Sequence, residues 1–358
     1  MKFIFIVQGE GRGHLTQAIA LRCILHNNDH QVLSIIVGKS SNRKIPAFFY
    51  EKIGTPVTEV DSPNFVTDKQ RKSVKPFRTI VKSLINSPVY RKSIREIETI
   101  VNEHDPDVIV NFYDFLGGLY NFFHQPRAKF ICVAHQYLIS HKAFEFPSGK
   151  KLDQYSLRVA NRITRLGADK ILALSFQPLD DDGKKNHFVV PPLLRAEIEQ
   201  LKVDDKGHLL VYIVNPGYSK EVEKFHQLCP NIPMHCFWDK KDQPDELVID
   251  ETLTFHQLND KKFLDYMASA RGFVTTAGFE SVCEAMYLGK PVMMVPVDGH
   301  FEQACNAVDG EKAGAGIGAN RFDITKLVEY LPEYQNTSKW FKEWAGQSDE
   351  MFLTELTT

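Results

Sequence analysis

The segment from residue 272 to residue 296 constrains the fold of this chain more than any other. Gly272 to Thr276 is a short run of β-favouring residues, and Ala277-Gly278 lets the chain turn sharply. Apolar residues then recur at helical spacing as far as Gly289, where a helix would end. The continuous apolar run 292–295 is typical of a strand buried on both faces of a parallel sheet. The pattern predicts a β-α-β unit within an α/β fold.

The start of the predicted helix, beside Gly278, is a candidate anion site. The first N–H groups of a helix have no partner within it and lie at the positive end of its dipole, so they suit a diphosphate. Glu284 falls at about the second turn, where a carboxylate can accept from a ribose hydroxyl. An ordinary β-α-β unit without a nucleotide is the alternative interpretation of these residues.

These residues resemble the donor-binding motif of GT-B glycosyltransferases. From Thr276 they read Thr-Ala-Gly-Phe-Glu-Ser-Val-x-Glu-Ala-x-x-x-Gly-Lys-Pro-Val, followed by Pro296 and the cluster Glu302-Gln303-x-x-Asn306-Ala307. The motif is similar to that of UDP-glycosyltransferases and of the N-acetylglucosaminyltransferase that makes the peptidoglycan lipid intermediate. The resemblance implies two Rossmann-like domains facing across a cleft, and a nucleoside-diphosphate sugar as donor, with a UDP-sugar expected.

The resemblance also implies roles for particular residues. Glu284 would hold the ribose, the turn at Gly278 the diphosphate, and Glu302 and Gln303 the sugar hydroxyls. Residues 255–257 end a predicted strand, where relatives hold the base through backbone groups. The predicted donor site comprises Gly217, Tyr218, Ser219, Phe255, His256, Gln257, Thr276, Ala277, Gly278, Phe279, Glu280, Glu284, Glu302 and Gln303.

A glycine-rich turn follows the first predicted strand, Lys2 to Val7. It reads Gly9-Glu10-Gly11-Arg12-Gly13-His14 and does not match the dinucleotide spacing from its first glycine. His14 begins the next predicted helix, at the edge of a parallel sheet where ligands bind. A histidine of ordinary pKa can take a proton from a hydroxyl. A capping or core histidine is the alternative.

Gly13-His14 resembles the Gly-His pair of UDP-glycosyltransferases, whose histidine is the general base for the acceptor hydroxyl. Thr16-Gln17 departs from the proline that many members carry there, which bears on the type of acceptor. The predicted strand 107–114 ends in Asp114, a position similar to the aspartate that pairs with the family histidine. The resemblance therefore implies a catalytic dyad of His14 and Asp114.

Polar residues follow another predicted strand, 130–134, at its carboxyl end. They are expected to line the acceptor site, although a structural role for His135 is equally open. The predicted acceptor-binding residues are Gly11, Arg12, Gly13, His135 and Gln136.

The segment from Lys69 to Arg95 is rich in lysine and arginine and contains no acidic residue. Apolar side chains are interleaved at helical spacing between Phe77 and Ile85. Three interpretations stay open: a solvated helix face packed on the core, a contact with an anionic membrane surface, and a site for an anionic acceptor, such as a lipid-linked precursor of a cell-envelope glycan.

Length and composition limit the remaining possibilities. A chain of 358 residues suggests two domains, and a net charge of −2 gives no overall field for nucleic acid. The six cysteines form no CxxC pair and are typical of buried thiols in a reducing compartment. No apolar run reaches the roughly 18 residues of a membrane span. We expect a cytoplasmic protein, at the inner face of the membrane if the basic segment contacts lipid.

The domain prediction follows from the order of the patterns. Residues 1–195 would form the acceptor-binding Rossmann-like domain, 207–325 the donor-binding one, and 326–358 helices that return toward the first domain. Predicted strands are Lys2 to Val7, Gln31 to Val37, Pro56 to Val60, 107–114, 130–134, 168–175, 209–214, 234–238, 253–255, 272–276 and 291–295, with a basic helix at Leu157 to Arg165 and a final helix at Ser338 to Trp344.

The expected reaction is an inverting transfer without metal or other cofactor. Retaining GT-B enzymes usually show Glu-x7-Glu ending at the position of Glu284, and here the first member is Thr276. The run Asp180 to Asp182 lacks the spacing of an EF-hand and reads as a solvated turn. Two alternatives are a nucleotide-sugar 2-epimerase, whose first loop typically carries Arg-Pro-Glu, and a nucleotide-sugar-binding protein without catalysis.

Overall fold

The computed structural model describes residues 1–40, 44–63, 87–213, 216–240 and 243–358. The chain forms two compact units, one made of residues 1–195 and 345–358, the other of residues 196–344. The predicted donor domain, 207–325, lies within the second unit, which extends further to residue 344. The end of the chain belongs to the first unit.

Each unit contains a seven-stranded sheet. The first sheet consists of β1 Lys2–Gln8, β2 Gln31–Lys39, β3 Val57–Asp61, β4 Val108–Phe112, β5 Lys129–Ala134, β6 Lys170–Leu174 and β7 His187–Val190. The second consists of β8 Leu209–Ile213, β9 Met234–Trp238, β10 Glu246–Val248, β11 Leu253–Gln257, β12 Gly272–Thr275, β13 Val292–Met294 and β14 Gly316–Gly318.

The two sheets share the order of their first six parallel strands, and the second sheet has the additional antiparallel strand β10 at one edge. The orders are β3-β2-β1-β4-β5-β6-β7 and β10-β11-β9-β8-β12-β13-β14. All neighbouring strands are parallel except β10, which pairs antiparallel with β11. In each sheet the strand order changes direction beside the first strand, between β1 and β4 and between β8 and β12. This is the doubly wound arrangement of Rossmann-like folds.

Helices lie between most successive strands and follow the last one. They are α1 Arg12–Asn27, α2 Ala47–Ile53, α3 Pro88–His104, α4 Phe115–His124, α5 Lys151–Thr164, α6 Ser219–Leu228, α7 Asp260–Ser269, α8 Phe279–Tyr287, α9 Phe301–Lys312, α10 Thr325–Tyr330, α11 Ser338–Ala345 and α12 Ser348–Thr357. Short 3-10 helices span His135–Ser140, Ala196–Gln200, Pro216–Tyr218 and Leu331–Glu333. Across the described ranges, no helix combines the length and apolar character needed to cross a bilayer.

Both sheets have buried central strands. Phe3 to Val7 of β1 are completely buried, as are Val108 to Val110 of β4 and most of β12 and β13. Continuous apolar runs form such strands because helices cover both faces of a parallel sheet. The predicted β12-α8-β13 unit is present, and Gly289 follows α8 with a φ of 69°.

Four sequence predictions about elements were wrong. The last strand of the first sheet is β7, not β6, and the short edge strands β10 and β14 were missed. Helix α5 begins at Lys151 instead of Leu157. The last helix is α12, after the predicted Ser338 to Trp344 helix. Most of the basic segment, residues 69–86, lies outside the described residues, and its remainder begins α3.

Helices α4 and α5 pack closely at Gly118. A Cβ atom at this position would lie 2.1 Å from the backbone oxygen of Ile163 and 2.8 Å from that of Thr164. Backbone atoms cannot move aside as a flexible side chain can, so only glycine fits between the two helices at their present separation.

We expect Gly118→Ala to destabilise the first unit by about 2 kcal/mol or more, because overpacking outweighs the gain of about 1 kcal/mol in helix propensity. Chemical denaturation followed by circular dichroism measures the change. Gly11→Ala is the control, since nothing lies within 4 Å of its added methyl group. Equal stability of the two variants would contradict the packing argument.

Candidate functional site

The topology of the first sheet defines where a ligand would bind. In doubly wound sheets, ligands bind outside the carboxyl ends of the strands, at the point where the strand order reverses. Here that point lies between β1 and β4. The loop after β1 leads to His14, and the loop after β4 contains Tyr113 and Asp114.

His14 lies in the first turn of α1 and is 7% exposed. Its Nδ1 atom lies 3.1 Å from Oε1 of Gln17, and its Nε2 atom lies 3.4 Å from Nε2 of Gln136. The ring stacks on Tyr113, with 5.7 Å between ring centroids. The histidine is therefore contacted at both nitrogens and on one face.

Asp114 is completely buried and caps the start of α4. Its Oδ1 atom accepts hydrogen bonds from Ser62 Oγ and from the backbone N–H groups of Leu116 and Gly117. Its Oδ2 atom has no hydrogen-bond partner among the described residues. The His14–Asp114 dyad is therefore not formed through a hydrogen bond in this structure. The carboxylate instead accepts hydrogen bonds from the first N–H groups of α4.

Burial raises the pKa of Asp114 to about 6, and the nearby Glu10 carboxylate acts in the same direction. The hydrogen bonds from Ser62 and from α4 oppose this effect. Asp114 therefore titrates much closer to neutral pH than an exposed aspartate.

The backbone beside Asp114 is tightly constrained. A Cβ atom on Gly38 would lie 2.0 Å from Asp114 Oδ2, so β2 needs glycine there. Tyr113 has a φ of 62°, a left-handed conformation that costs a non-glycine residue about 1–2 kcal/mol. The Tyr113 hydroxyl donates to Asn161 Oδ1 on α5, which holds this turn in place.

The predicted acceptor-binding residues have different environments. Gly11 precedes α1, with open space where a side chain would lie. Gly13 lies within α1, and the Arg12 guanidinium lies 5.1 Å from the centroid of the Phe48 ring. The buried His135 donates from Nδ1 to the Leu174 carbonyl oxygen, and burial lowers its pKa to about 4. These contacts favour a structural role for His135, the alternative that the sequence left open.

The predicted diphosphate turn lies after β12, where the order of the second sheet reverses. Ala277, rather than Gly278, takes the left-handed conformation, with a φ of 60°. Its carbonyl oxygen accepts a hydrogen bond from Nδ2 of the buried Asn306. Gly278 then occupies the N-cap of α8 and contributes no side chain that could occupy the helix start. Thr276 is buried before this turn, and Phe279 is buried after it.

Acidic side chains of α8 lie near one buried thiol. Glu284 is 2% exposed, in the second turn of the helix. Burial raises the pKa of Cys283 well above its usual value, and the carboxylates of Glu280, Glu284 and Asp309 add to this effect. The two predicted donor-binding glutamates therefore lie close together on α8, beside Asp309 of α9.

Gln303 joins α9 to the loop after β13. Its Oε1 atom accepts from the Val297 backbone N–H at 2.9 Å, and its own N–H donates to His300 Nδ1 at 3.4 Å. Its side-chain nitrogen forms no hydrogen bond to the described residues, so it is available to a ligand oxygen. Glu302, its neighbour, is half-buried.

Gly217, Tyr218 and Ser219 follow β8 and lead into α6. Tyr218 stacks on Phe322 with 5.1 Å between ring centroids. Partial burial and the nearby Asp298 carboxylate raise the pKa of Tyr218. The structure therefore brings the loop after β8 to the loop after β13, both at the carboxyl edge.

The strand end 255–257 is less open than the sequence suggested. Phe255 stacks on Trp238 within the core, and His256 Nε2 lies 3.0 Å from His235 Nδ1. Burial lowers the pKa of His256 to about 4. The Gln257 N–H donates to the Asp245 carbonyl, and β10 pairs with the outer edge of β11. The unpredicted strand β10 therefore occupies backbone groups that were expected to hold a base.

Three residues around His14 are absent from the predicted site: Gln17, Tyr113 and Asn161. Gln17 departs from the family pattern, and its position three residues after His14 places it on the same helix face. Asn161 had no recognisable signal, since it reaches Tyr113 and Gln136 only through the packing of α5. Within the described ranges, no group of three or more His, Cys, Asp or Glu residues could hold a metal ion.

Comparison with known families identifies the chain. The family model described as glycosyl transferase family 1 matches residues 1–333. The chain belongs to glycosyl transferase family 1. It is a glycosyltransferase, as the sequence predicted, and so acts on a sugar donor and an acceptor.

Sequence relatives agree with this assignment. Two proteins of Methanosarcina acetivorans, each named "Uncharacterized glycosyltransferase", are 24% identical to this glycosyltransferase. The first similarity covers 88% of this chain and 85% of the relative, and the second covers 88% and 83%.

Solved glycosyltransferases share the fold. Phytolacca americana UGT2, complexed with UDP-2fluoro-glucose and pterostilbene, matches with a TM-score of 0.66 and 12% identity, covering 99% of this chain and 98% of that one. A UDP-glucosyltransferase from Polygonum tinctorium matches with a TM-score of 0.66 and 13% identity, covering 100% and 98%. The spinosyn rhamnosyltransferase SpnG, complexed with spinosyn aglycone, gives a TM-score of 0.63 at 11% identity, covering 100% of both chains. These matches confirm the predicted GT-B fold.

We expect Asp114→Asn to change how stability depends on pH. A folded-state pKa of about 6, against 3.8 for the ordinary group, means that the folded unit binds a proton that the unfolded chain has released. The free energy of unfolding of the wild type therefore decreases as pH rises from about 4 to 6. The decrease is complete above pH 6, where the buried carboxyl group is ionised. The asparagine side chain of the variant would carry no charge and would keep the acceptor oxygen.

The stability of this variant relative to the wild type should increase from pH 4 to pH 7, by up to about 3 kcal/mol, since a pKa difference of about 2 corresponds to that energy. Urea denaturation at each pH, followed by circular dichroism, measures it. A difference that does not vary with pH would show that the Asp114 carboxyl is not perturbed in this way.

Proposed function

We propose that this glycosyltransferase moves a sugar from a nucleoside-diphosphate sugar, with UDP-sugar as the first candidate, to an acceptor hydroxyl. The transfer inverts the anomeric carbon and uses no metal. The observation that carries the proposal is the turn from β12 through Ala277 and Gly278 into α8, at the reversal point of the second sheet.

The donor site is built from the loops at that reversal point. The start of α8 offers N–H groups and a positive dipole end to the diphosphate. The side-chain nitrogen of Gln303 is available to a sugar hydroxyl, and Glu284 lies one turn along the helix for the ribose. Support for the uridine nucleotide comes from the sequence motif and from Phytolacca americana UGT2, whose solved structure is complexed with UDP-2fluoro-glucose.

The acceptor is activated by His14. This histidine lies at the reversal point of the first sheet, where its Nε2 atom faces the side-chain amide nitrogen of Gln136. An acceptor hydroxyl in place of that amide would lose its proton to Nε2 as its oxygen attacks the sugar carbon. Because the acceptor oxygen attacks on the face opposite the diphosphate, the configuration of that carbon is inverted.

The leaving diphosphate takes the electron pair of the broken bond. Its developing charge is stabilised by the N–H groups and dipole at the start of α8, which are fixed before the reaction begins. Retaining GT-B enzymes usually carry a glutamate at the position of Thr276. A threonine has no carboxylate, so this position favours inversion.

We further propose an anionic, lipid-linked acceptor, reached while the protein lies on a membrane. The last part of the basic segment forms the start of α3, where Val89, Arg91 and Lys92 are exposed. Helix α5 begins with the basic Lys151 and with Leu152, which is 70% exposed. Basic residues beside exposed apolar ones suit an anionic lipid surface.

The donor proposal is tested by thermal shift with a panel of nucleotides and nucleotide sugars, in the presence of EDTA. A ligand at 100 times its dissociation constant stabilises by about 2.7 kcal/mol, which corresponds to a midpoint about 5–10 °C higher. We expect this shift with a UDP-sugar and its loss in Glu284→Ala. The exposed Glu329→Ala on α10 is the control and should retain the shift.

Absence of a shift with every nucleotide would refute the nucleotide-sugar proposal. Where a donor is found, acceptors are screened with His14→Ala as the inactive control, and NMR of the product reports the anomeric configuration. A retained configuration would refute the inverting mechanism.

Membrane contact is tested by co-sedimentation with phosphatidylglycerol and with phosphatidylcholine vesicles. We expect binding to the anionic vesicles only, weakened by salt and by the double change Arg91→Ala and Lys92→Ala. Equal binding to both vesicle types, or none, would contradict the proposal.

A further inference from the structure

We propose that Gln17, and not Asp114, orients the imidazole of His14 in this chain. Gln17 is a positioning residue: it fixes the proton of His14 on Nδ1 and leaves Nε2 as the proton acceptor. Its catalytic consequence rests on the proposed function of His14 as the base, whereas the tautomer itself does not.

The atoms at each ring nitrogen lead to one tautomer. Oε1 of Gln17 can only accept a hydrogen bond, so the Nδ1 atom 3.1 Å away must carry the proton. The side-chain nitrogen of Gln136 can only donate, so the Nε2 atom 3.4 Å away must offer its lone pair. Two independent contacts thus specify a neutral ring protonated at Nδ1.

The helix makes this contact rigid. His14 and Gln17 are three positions apart on α1 and therefore lie on the same face. Gln17 is only 3% exposed, so its side chain is held by packing. Many of the UDP-glycosyltransferases that the motif resembles have proline near this position, and a proline has no side-chain amide. The contact is therefore a property of this chain's own sequence.

A second group of hydrogen bonds holds the other side of the ring. The Tyr113 hydroxyl donates to Asn161 Oδ1, and Asn161 Nδ2 donates to the Gln136 backbone oxygen. Tyr113 also stacks on His14. The loop after β4, the segment after β5 and helix α5 are thereby linked around one imidazole, which limits its rotation.

The hydrogen bonds of Asp114 are formed with residues other than His14. Its Oδ1 atom accepts from Ser62, Leu116 and Gly117, and its Oδ2 atom faces the Gly38 backbone. Neither oxygen of Asp114 forms a hydrogen bond to His14 in this structure, and Oδ1 caps the start of α4. The group that contacts Nδ1 is an amide.

An amide and a carboxylate have different effects on a base. A carboxylate at Nδ1 would stabilise the imidazolium ion and raise the pKa of the histidine, whereas a neutral amide fixes the tautomer without that charge effect. In the reaction, the acceptor hydroxyl replaces the Gln136 amide at Nε2 and its proton passes to that atom. The acceptor oxygen forms the new bond to the sugar carbon, and the diphosphate leaves with the electron pair. Gln17 keeps its hydrogen bond to Nδ1–H throughout.

The tautomer is measured by ¹⁵N NMR of the histidine side chains, with no donor or acceptor present. The His14 signals are assigned by their loss in His14→Gln. We expect the Nδ1-protonated form in the wild type and a mixture in Gln17→Met. Gln17→Glu should raise the pKa of His14 by about one unit, because a carboxylate would then lie at Nδ1. Thr16→Val, a buried change on the same helix, is the matched control and should leave the tautomer unaltered.

The proposal is overturned if the wild type is protonated at Nε2. It is equally overturned if Asp114→Asn changes the tautomer while Gln17→Met does not. Thermal midpoints of both Gln17 variants establish that they are folded, and Gln17→Glu retains the hydrogen bond if the apolar methionine proves disruptive.

Kinetics provide the second measurement once an acceptor is known. Gln17→Met should lower kcat by about 10- to 100-fold with little change in the KM of the donor. Gln17→Glu should restore most of kcat and move the acidic limb of the kcat/KM profile to higher pH by about one unit. An unmoved limb would overturn the catalytic role of Gln17. Failure to find any transfer, with the tautomer as expected, would instead count against the proposed function and leave the positioning of His14 intact.

Discussion

Both units depend on the burial of parallel strands between two layers of helices. Because each crossover between parallel strands returns the chain to the same edge, the loop after each parallel strand lies at the carboxyl edge of its sheet. In the first sheet this places His14, after β1, beside Tyr113, after β4, although they lie far apart in sequence. In the second it places Tyr218, after β8, near Asp298, after β13. The sites follow from this constraint on topology.

The buried turns at this edge are held by polar side chains whose contacts are specific. Asn306 donates to the Ala277 carbonyl, and Asp114 caps α4, so two left-handed residues, Ala277 and Tyr113, are stabilised beside helix starts. An unfavourable backbone conformation persists where the surroundings determine it fully, and such positions often mark binding sites. The occurrence of this arrangement at the reversal point of each sheet supports the assignment of both edges as ligand-binding.

Family resemblance and local structure did not agree at every residue. The resemblance implied an aspartate partner for His14, but the carboxylate of Asp114 is directed to α4 and Gly38. It also implied an open strand end at Phe255 to Gln257, where β10 pairs instead. A motif carries over the type of site more reliably than each contact, because a single changed neighbour, such as Gln17, can take over a contact.

The sequence by itself determined the elements whose signals are local. The apolar runs of β1 and β13, the periodicity of α8 and the glycine at its end each lie within a few residues, so the α/β class and the donor motif could be predicted. Only the tertiary structure decided which side chains meet. Gln136 reaches His14 across 122 positions, and Asn161 reaches Tyr113 across 48. Short edge strands such as β10 also depend on a partner strand for their hydrogen bonds. Contacts of this kind result from packing between distant segments, for which a single sequence holds no periodic or positional signal.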